Sequence, residues 1–238
     1  MFFDPFYLVF MLPGLALSLW ASFRVKSAFN RYSQVPSMRG LTGAEAAAEM
    51  LRRAGIEGVE IEQSDGFLSD HYNPLTKKLA LSESVFQSTS VAAIGVATHE
   101  AGHAIQHAHN YGPLWLRSTL VPTANIGSTI GYIVMAIGLA LSSTNMVLVG
   151  AVLFSAVLLF QVVTLPVEFN ASSRAKQLIL DYGIISPHER EGVDRVLNAA
   201  ALTYVAAAVS SLLTLLYFLM RAGLLGGRRD DWSSSSPT

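Results

Sequence analysis

The 238-residue chain contains no cysteine and few charged residues. Lys, Arg, Asp and Glu make up 14% of it, whereas roughly 25% is usual for soluble domains. The absence of cysteine excludes disulfides, thiol nucleophiles and cysteine-ligated zinc, iron–sulfur or haem sites, so that any metal must be held by His, Asp or Glu. Because the formal net charge is −1, no overall positive field attracts nucleic acid, and no nucleic-acid partner is expected.

Charged residues are missing altogether from three long stretches, at 5–23, 118–167 and 196–220. A helix that crosses a bilayer needs about 20 apolar residues. The two outer stretches therefore fit one span each, and the middle one fits two spans separated by the polar turn 142–145. With a mean hydropathy of +0.41, the sequence predicts a mainly α-helical integral membrane protein with about four transmembrane helices.

Basic residues are distributed unevenly between the segments that join these spans. Segments 24–117 and 168–195 together hold 13 of the 16 Lys and Arg residues, and the other three lie after the last span. Because basic residues concentrate on the cytoplasmic side of membrane proteins, both segments are predicted to face the cytoplasm. The expected location is therefore the inner (plasma) membrane, with several passes through the bilayer.

Helix and strand patterns suggest a small folded domain between the first and second spans. Thr42-Gly-Ala-Glu45 is a capping box that predicts a helix ending before Gly55, two short strands are expected near 59–62 and 75–81, and a helix of small residues runs from about 88 to 109. The predicted organisation is a transmembrane anchor at 1–23, a catalytic domain at 24–117, a transmembrane hairpin at 118–167, a helical region at 168–195, a C-terminal transmembrane helix at 196–221 and a disordered tail at 222–238.

The sequence His99-Glu100-Ala-Gly-His103 carries the chemistry. Two histidines four residues apart lie on one face of a helix, where both imidazoles can bind one zinc ion. Glu100, beside the first histidine, would face a zinc-bound water and act as its general base. The pattern therefore predicts a zincin peptidase site with one zinc per chain, in an α+β domain built around this helix.

Two residues are candidates for the third zinc ligand. His109 lies at the third-histidine offset of the metzincin pattern, but Gln106 stands where that pattern has the glycine that turns the chain, so His109 would stay on the helix and point away from His103. Glu168 follows the charge-free hairpin, which returns the chain to the side of the membrane that it left at Arg117. We favour Glu168 as the ligand; as a simpler alternative, it would cap the membrane edge near Arg174.

Three separated blocks resemble the YugP-type family of bacterial membrane zinc metallopeptidases. They are LSDHYNPLTKKLALS at 68–82, SVAAIGVATHEAGHAIQ at 90–106 and PVEFNASSRA at 166–175. The resemblance implies a gluzincin-like site in which His99, His103 and Glu168 bind zinc and Glu100 is the base. Position 170, commonly Asp in that family, is Asn170 here.

The sequence therefore favours a membrane-embedded zinc endopeptidase that acts at the cytoplasmic membrane face. Its expected partners are the lipid bilayer and a peptide or membrane-protein substrate, which would pair with the strand at 75–81. His71 or Tyr72, just before that strand, are candidates to stabilise the oxyanion of the reaction. The alternative function is an inactive membrane scaffold with a structural zinc site. A metal transporter would need ionisable residues within its spans, and the 50-residue charge-free stretch has none.

Overall fold

The protein is described by a computed structural model that covers residues 5–66 and 69–225. Within these residues it is mainly helical, with one small sheet. Residues 226–238 of the tail predicted at 222–238 lie outside the described residues, as do the first four residues of the predicted anchor. The elements are α1 (Pro5–Tyr32), α2 (Gly43–Arg53), β1 (Glu60–Ser64), β2 (His71–Asn73), β3 (Lys78–Ser82), α3 (Glu83–Phe86), α4 (Val91–Ala108), α5 (Gly112–Ile126), a π-helical turn (Gly127–Gly131), α6 (Tyr132–Ala140), α7 (Thr144–Asp181) and α8 (Arg190–Arg221).

Four helical segments of the described chain are long and apolar enough to cross a membrane. The first is α1, the second is the continuous segment Gly112–Ala140 formed by α5, the π-helical turn and α6, the third is α7 and the fourth is α8. Their number confirms the expectation of about four spans. The polar turn also lies where it was predicted, because α6 ends at Ala140 and α7 begins at Thr144. Helix α7 is 38 residues long and extends to Asp181, so that the second span of the hairpin and the segment containing Glu168 form one uninterrupted helix.

The residues fall into two compact units. The first consists of the described parts of 1–14, 120–160 and 209–238. Within it, glycines allow helices to approach closely, since a Cβ on Gly131 would lie 2.8 Å from the backbone nitrogen of Phe154. The second unit consists of 15–119 and 161–208. It contains the His-Glu-x-x-His sequence, the sheet and Glu168.

The second unit contains a three-stranded sheet in the order β1-β3-β2. Strand β3 pairs in parallel with β1 and antiparallel with β2, so that both of its sides are occupied at 78–80. The expectation that a substrate strand would pair with 75–81 is therefore wrong for these positions. The two predicted strands are accompanied by a third, β2, which takes the place beside β3 that a substrate would have needed.

Helix α4 is almost entirely buried within the second unit. Ser90 caps its first turn by accepting a hydrogen bond from the Ala93 backbone nitrogen at 3.2 Å. Its small residues let other helices pack closely, and a Cβ on Gly102 would lie only 2.8 Å from the carbonyl oxygen of Ala171 in α7. The capping box at Thr42 and Glu45 that begins α2 is present with both of its hydrogen bonds, as predicted. Together α2 and α4 form much of the hydrophobic core.

Candidate metal centre

Helix α4 presents His99, Glu100 and His103 on its buried side, with at most 9% of each residue exposed. The two imidazoles are neighbours because residues four apart are stacked one helical turn above the other. Their ring centroids are 4.8 Å apart and the rings are nearly perpendicular. One turn of helix therefore supplies two nitrogen donors and places a carboxylate next to them.

Glu168 reaches the two histidines from α7 and is 2% exposed. Its Oε2 lies 3.2 Å from Nε2 of His99 and 3.5 Å from Nε2 of His103. The three side chains form the one group of His, Asp or Glu residues in the described chain whose donor atoms converge as a metal site requires; these atoms all lie within 4.8 Å of one another. Sixty-four residues lie between His103 and Glu168 in the sequence, and the hairpin among them brings the chain back to the same place.

The other ring nitrogen of each histidine is bound by a neighbouring polar side chain. Nδ1 of His99 lies 3.1 Å from Oγ of Ser172, and Nδ1 of His103 lies 3.0 Å from Oε1 of Gln106. Since the Gln106 oxygen is an acceptor, Nδ1 of His103 donates to it. The Nε2 of His103 then keeps the lone pair that a metal ligand needs.

Gln106 is itself held in a single orientation. Its amide nitrogen donates to the carbonyl oxygen of Val167 at 2.8 Å and to Oδ1 of Asn170 at 2.9 Å. Arg174 donates to the same Asn170 oxygen at 2.8 Å. A chain of hydrogen bonds therefore runs from His103 in α4 into α7. Asn170 contributes to the site through Gln106, and no hydrogen bond between Asn170 and a candidate ligand is present in the described structure.

Charge balance at the site involves a further residue, Arg117. Its Nη1 donates to Oε1 of Glu168 at 2.9 Å, which leaves Oε2 directed at the histidines. Burial lowers the pKa of His103, but the hydrogen bond to Glu168 and the nearby charges of Glu100 and Glu168 outweigh burial and raise that pKa above its ordinary value. The negative charges of Glu100 and Glu168 therefore favour a positive charge on or next to the His103 ring.

The donor set fits zinc. Tetrahedral ligands bound about 2.0–2.2 Å from zinc lie roughly 3.3–3.6 Å from one another, and the two distances between Glu168 and the histidines are close to this range. Two imidazoles and one carboxylate are also a donor set found at catalytic zinc sites, which keep a fourth position open. The three residues therefore supply a donor set that could hold one zinc ion.

Other residues singled out in the sequence lie away from the three donors. His109 is exposed at the C-cap of α4. Tyr72 bonds Nδ1 of His107 at 2.9 Å, beside a separate 180 Å³ cavity. His71 is also exposed and bonds the backbone oxygen of Ser69 through Nδ1. Neither His71 nor Tyr72 lines the cavity beside Glu100, so the suggestion that either stabilises an oxyanion there finds no support.

A cavity of about 270 Å³ opens beside the candidate metal centre. His99, Glu100 and Glu168 line one side of it, and Tyr204 of α8 lines another. Asp70 also lines the cavity. Both of its carboxylate oxygens accept hydrogen bonds from the Ser82 hydroxyl, and one also accepts from the Ser82 backbone nitrogen. Burial raises the pKa of Asp70, and these hydrogen bonds oppose the shift only in part. Glu100 therefore faces a space large enough for part of a peptide.

These features define a class: a multi-pass membrane protein with a buried His-His-Glu group of zinc-peptidase type. The chain matches, over residues 7–223, the model of the family described as "Putative neutral zinc metallopeptidase". It is also 48% identical over 225 residues to the "Putative membrane protease YugP" of Bacillus subtilis (strain 168), an alignment that covers 94% of this chain and 99% of that protein. No solved structure matches the chain. The chain belongs to this zinc metallopeptidase family, and the YugP resemblance is confirmed.

Proposed function

We propose that the protein is a zinc-dependent endopeptidase in which Glu100 is the catalytic base. The observation that carries this proposal is the convergence of His99, His103 and Glu168 on one point, with Glu100 beside them at a cavity. Membership of a family described as zinc metallopeptidases supports it. A structural zinc site in an inactive scaffold would have no use for a carboxylate facing a cavity beside its ligands.

The proposed metal ligands are Nε2 of His99, Nε2 of His103 and Oε2 of Glu168, with one zinc per chain. When bound there, zinc would supply Lewis-acid chemistry that makes the scissile carbonyl more electrophilic and water a stronger nucleophile at neutral pH. Ser172 and Gln106 keep the imidazole rings in place by bonding their outer nitrogens. Arg117 fixes the Glu168 carboxylate and balances part of its charge.

Glu100 moves the proton in the proposed reaction. Its carboxylate accepts a proton from the attacking water and passes it to the amine that leaves when the C–N bond breaks. The neighbouring carboxylates, Asp70 and Glu168, are each held by donors on other residues. Among the carboxylates that line the cavity, Glu100 is therefore the one best placed to exchange a proton with substrate.

We further propose that the zincin-like part of the chain faces the cytoplasm from a multi-pass position in the inner (plasma) membrane. The positive-inside rule supports this orientation, since 13 of the 16 basic residues lie in segments 24–117 and 168–195. The four apolar helices and the relative named a membrane protease support the membrane location. Substrates would accordingly be peptides or membrane proteins that present a segment near the cytoplasmic leaflet.

Glu100→Gln tests the function directly. The substitution preserves the size of the side chain and removes no proposed ligand, so that zinc content and melting temperature should match those of the wild type. Peptide hydrolysis should fall by about 10²–10⁴-fold or more, since the general base is lost. Hydrolysis would be followed by mass spectrometry of a peptide mixture incubated with the purified full-length protein in detergent, with zinc measured by elemental analysis.

The matched control is Glu83→Gln, which makes the same change at an exposed position in α3. It should leave both zinc content and hydrolysis unchanged. Hydrolysis by Glu100→Gln at the wild-type rate would disprove the peptidase proposal. Wild-type protein that binds zinc stoichiometrically and cleaves nothing would favour the scaffold instead.

A further inference from the structure

One part of the lining of the cavity beside Glu100, here called its apolar wall, comes from helices other than those that carry the proposed metal ligands. Helices α1 and α8 build this wall from apolar side chains that are buried or half-buried. Its members are Val25, Phe29, Val196, Leu197, Ala200 and Ala201. Because the same cavity is lined by His99 and Glu100, a peptide that reaches the reacting groups would direct a neighbouring side chain toward this wall.

The size of the cavity suits a single side chain. Its volume of about 270 Å³ lies below the roughly 300–1,000 Å³ that is usual for pockets holding drug-sized ligands. Ala200 and Ala201 contribute the smallest side chains of α8 to the wall, whereas Val196 and Leu197, one turn earlier, are larger. The two alanines therefore leave the space into which a substrate side chain would fit.

The charges around the cavity disfavour an acidic occupant. Its charged lining residues are the carboxylates Asp70, Glu100 and Glu168, besides His99, and no Lys or Arg is among the residues that line it. Asp70 is also a poor partner for a basic occupant, because its oxygens already accept three hydrogen bonds from Ser82. Glu168 is likewise engaged by Arg117 and the two histidines. Apart from the uncharged hydroxyl groups of Ser172, Thr203 and Tyr204, the rest of the lining is apolar.

From this arrangement we infer that the cavity is a specificity pocket for an uncharged aliphatic side chain next to the scissile bond, and that Ala200 and Ala201 set its depth. The inference rests on the proposed peptidase function. It names a substrate class, peptides with Leu, Ile, Val or Met at one fixed side of the cleavage point. Peptides with Asp, Glu, Lys or Arg at that position should be poor substrates.

Binding tests the pocket separately from catalysis. Full-length Glu100→Gln protein in detergent, loaded with zinc, would be titrated with two sets of fluorescein-labelled peptides. In both sets one position of the peptide is changed at a time. The changed residue is Leu in one set and Asp or Lys in the other, and the rest of the peptide is the same. At one position, Leu should bind at least 10-fold more tightly than either charged residue. Equal affinities at every position would overturn the inference, and so would a preference for Lys, which would assign recognition to Asp70.

Cleavage by the protein with Glu100 intact supplies the second test. Ala200→Leu should reduce cleavage next to Leu or Ile by about 10–200-fold, the range that small volume changes in apolar pockets produce, while cleavage next to Ala or Gly persists. Ala207→Leu makes the same change on α8 away from the cavity and should leave the preference unchanged. An unaltered preference in Ala200→Leu would overturn the inference.

The variants also separate failure of the pocket from failure of the function. Zinc content and melting temperature show whether Ala200→Leu folds, and Ala201→Val adds a smaller volume to the same pocket if it does not. Absence of cleavage by the wild type would refute the peptidase function and leave the binding experiment to decide the pocket. Cleavage that depends on Glu100 but shows no aliphatic preference would refute the pocket alone.

Discussion

Gln106 shows how a single side chain acts in the proposed zinc site without contacting the metal. Its oxygen accepts from Nδ1 of His103, and its nitrogen donates to Val167 and Asn170. A glutamine amide has one acceptor end and one donor end, so that the bonds to α7 determine which end faces the histidine. Side chains in this position commonly change metal affinity by about 10–100-fold when they are replaced.

Replacing Gln106 by Leu should therefore weaken zinc binding by about 10–100-fold, because Nδ1 of His103 loses its acceptor. Gln106→Glu keeps an acceptor oxygen and should retain most of the affinity. The measurement is competition for zinc with a chelator of known affinity. Gln177→Leu, at an exposed position of α7, is the control for the loss of a glutamine amide. A zinc affinity in Gln106→Leu equal to that of the wild type would show that this hydrogen bond does not position the ligand.

Glu168 and Glu100 should give different phenotypes, although both are buried glutamates at one site. Glu168→Gln replaces an anionic donor by a weak neutral one and leaves Arg117 without its partner. Zinc affinity should fall, and activity should return in part when excess zinc is added. Glu100→Gln should keep zinc and stay inactive at any zinc concentration.

The competing assignment of the third ligand makes the opposite prediction. His109→Ala removes an exposed imidazole at the end of α4 and should leave zinc affinity unchanged. Loss of zinc from His109→Ala, together with tight binding in Glu168→Gln, would assign the third position to His109. Both affinities would be obtained from the same chelator competition.

At the scale of elements, the contact between α4 and α7 depends on the residue just before the second histidine. A Cβ on Gly102 would meet the Ala171 carbonyl oxygen at 2.8 Å, and backbone atoms cannot move aside easily. At Gly95, seven residues earlier, an added Cβ would meet a methyl group of Val193 at 3.3 Å. A side chain can adjust to that contact by a small rotation.

The same substitution should therefore have opposite effects at the two glycines. Gly102→Ala should destabilise the protein by about 1–3 kcal/mol, the usual cost of overpacking, and should lower zinc affinity by moving α4 away from Glu168. Gly95→Ala should be neutral or should stabilise by up to about 1 kcal/mol, since Ala favours helix. Melting temperatures in detergent, with and without zinc, measure both effects. Equal melting temperatures for the two variants would contradict the close contact.

Glu189, in the loop just before α8, connects that loop to the one between α1 and α2. Its carboxylate accepts hydrogen bonds from the backbone nitrogens of Met38 at 2.9 Å and Ser186 at 2.7 Å. Burial raises the pKa of Glu189, but these hydrogen bonds outweigh burial, so the pKa lies below its ordinary value of 4.5. Because the folded protein favours the carboxylate, the stabilisation is present above pH 4.5 and is lost as the pH falls through the lowered value.

Glu189→Gln should accordingly destabilise the protein at pH 7 by about 1.5–3 kcal/mol, the usual range for hydrogen bonds to a charged group. The difference from the wild type should shrink as the pH is lowered below 4.5. Melting temperatures of the two proteins, compared at a series of pH values, give this difference directly. A difference that stays constant down to the lowest pH would exclude the carboxylate as its source.

The sequence was informative wherever a pattern is local. The capping box of α2, the spacing of His99 and His103, and the apolar length of the four helices are all read within a few turns of chain. Glu168 is a candidate from sequence because it is the first acidic residue after the charge-free stretch. In contrast, Arg117, Ser172 and the role of Gln106 depend on side-chain contacts across 50 to 75 residues, and the placing of β2 beside β3 depends on pairing that alternation alone does not determine.

At the scale of the whole molecule, orientation in the membrane can be tested with single cysteines, because the chain has none of its own. Gln34→Cys and His188→Cys introduce thiols at exposed positions in the two basic segments. With a cytoplasmic orientation, both should resist a membrane-impermeant thiol reagent in intact cells and react after lysis. Asn145→Cys, in the turn between the hairpin spans, should react in intact cells. The reverse labelling pattern would invert the topology.

Because α4 packs closely against α7, a fragment of the chain that contains α4 without α7 should not keep the proposed site. A fragment that ended before Gly112 would retain both histidines but lose Glu168, Ser172 and the backbone of Ala171 against which Gly102 packs. The buried face of α4 would then be open to water. Proteolysis at the end of α4, near Asn110, should accordingly inactivate the protein instead of shedding a soluble enzyme, because one of the apolar helices is itself part of the proposed active site.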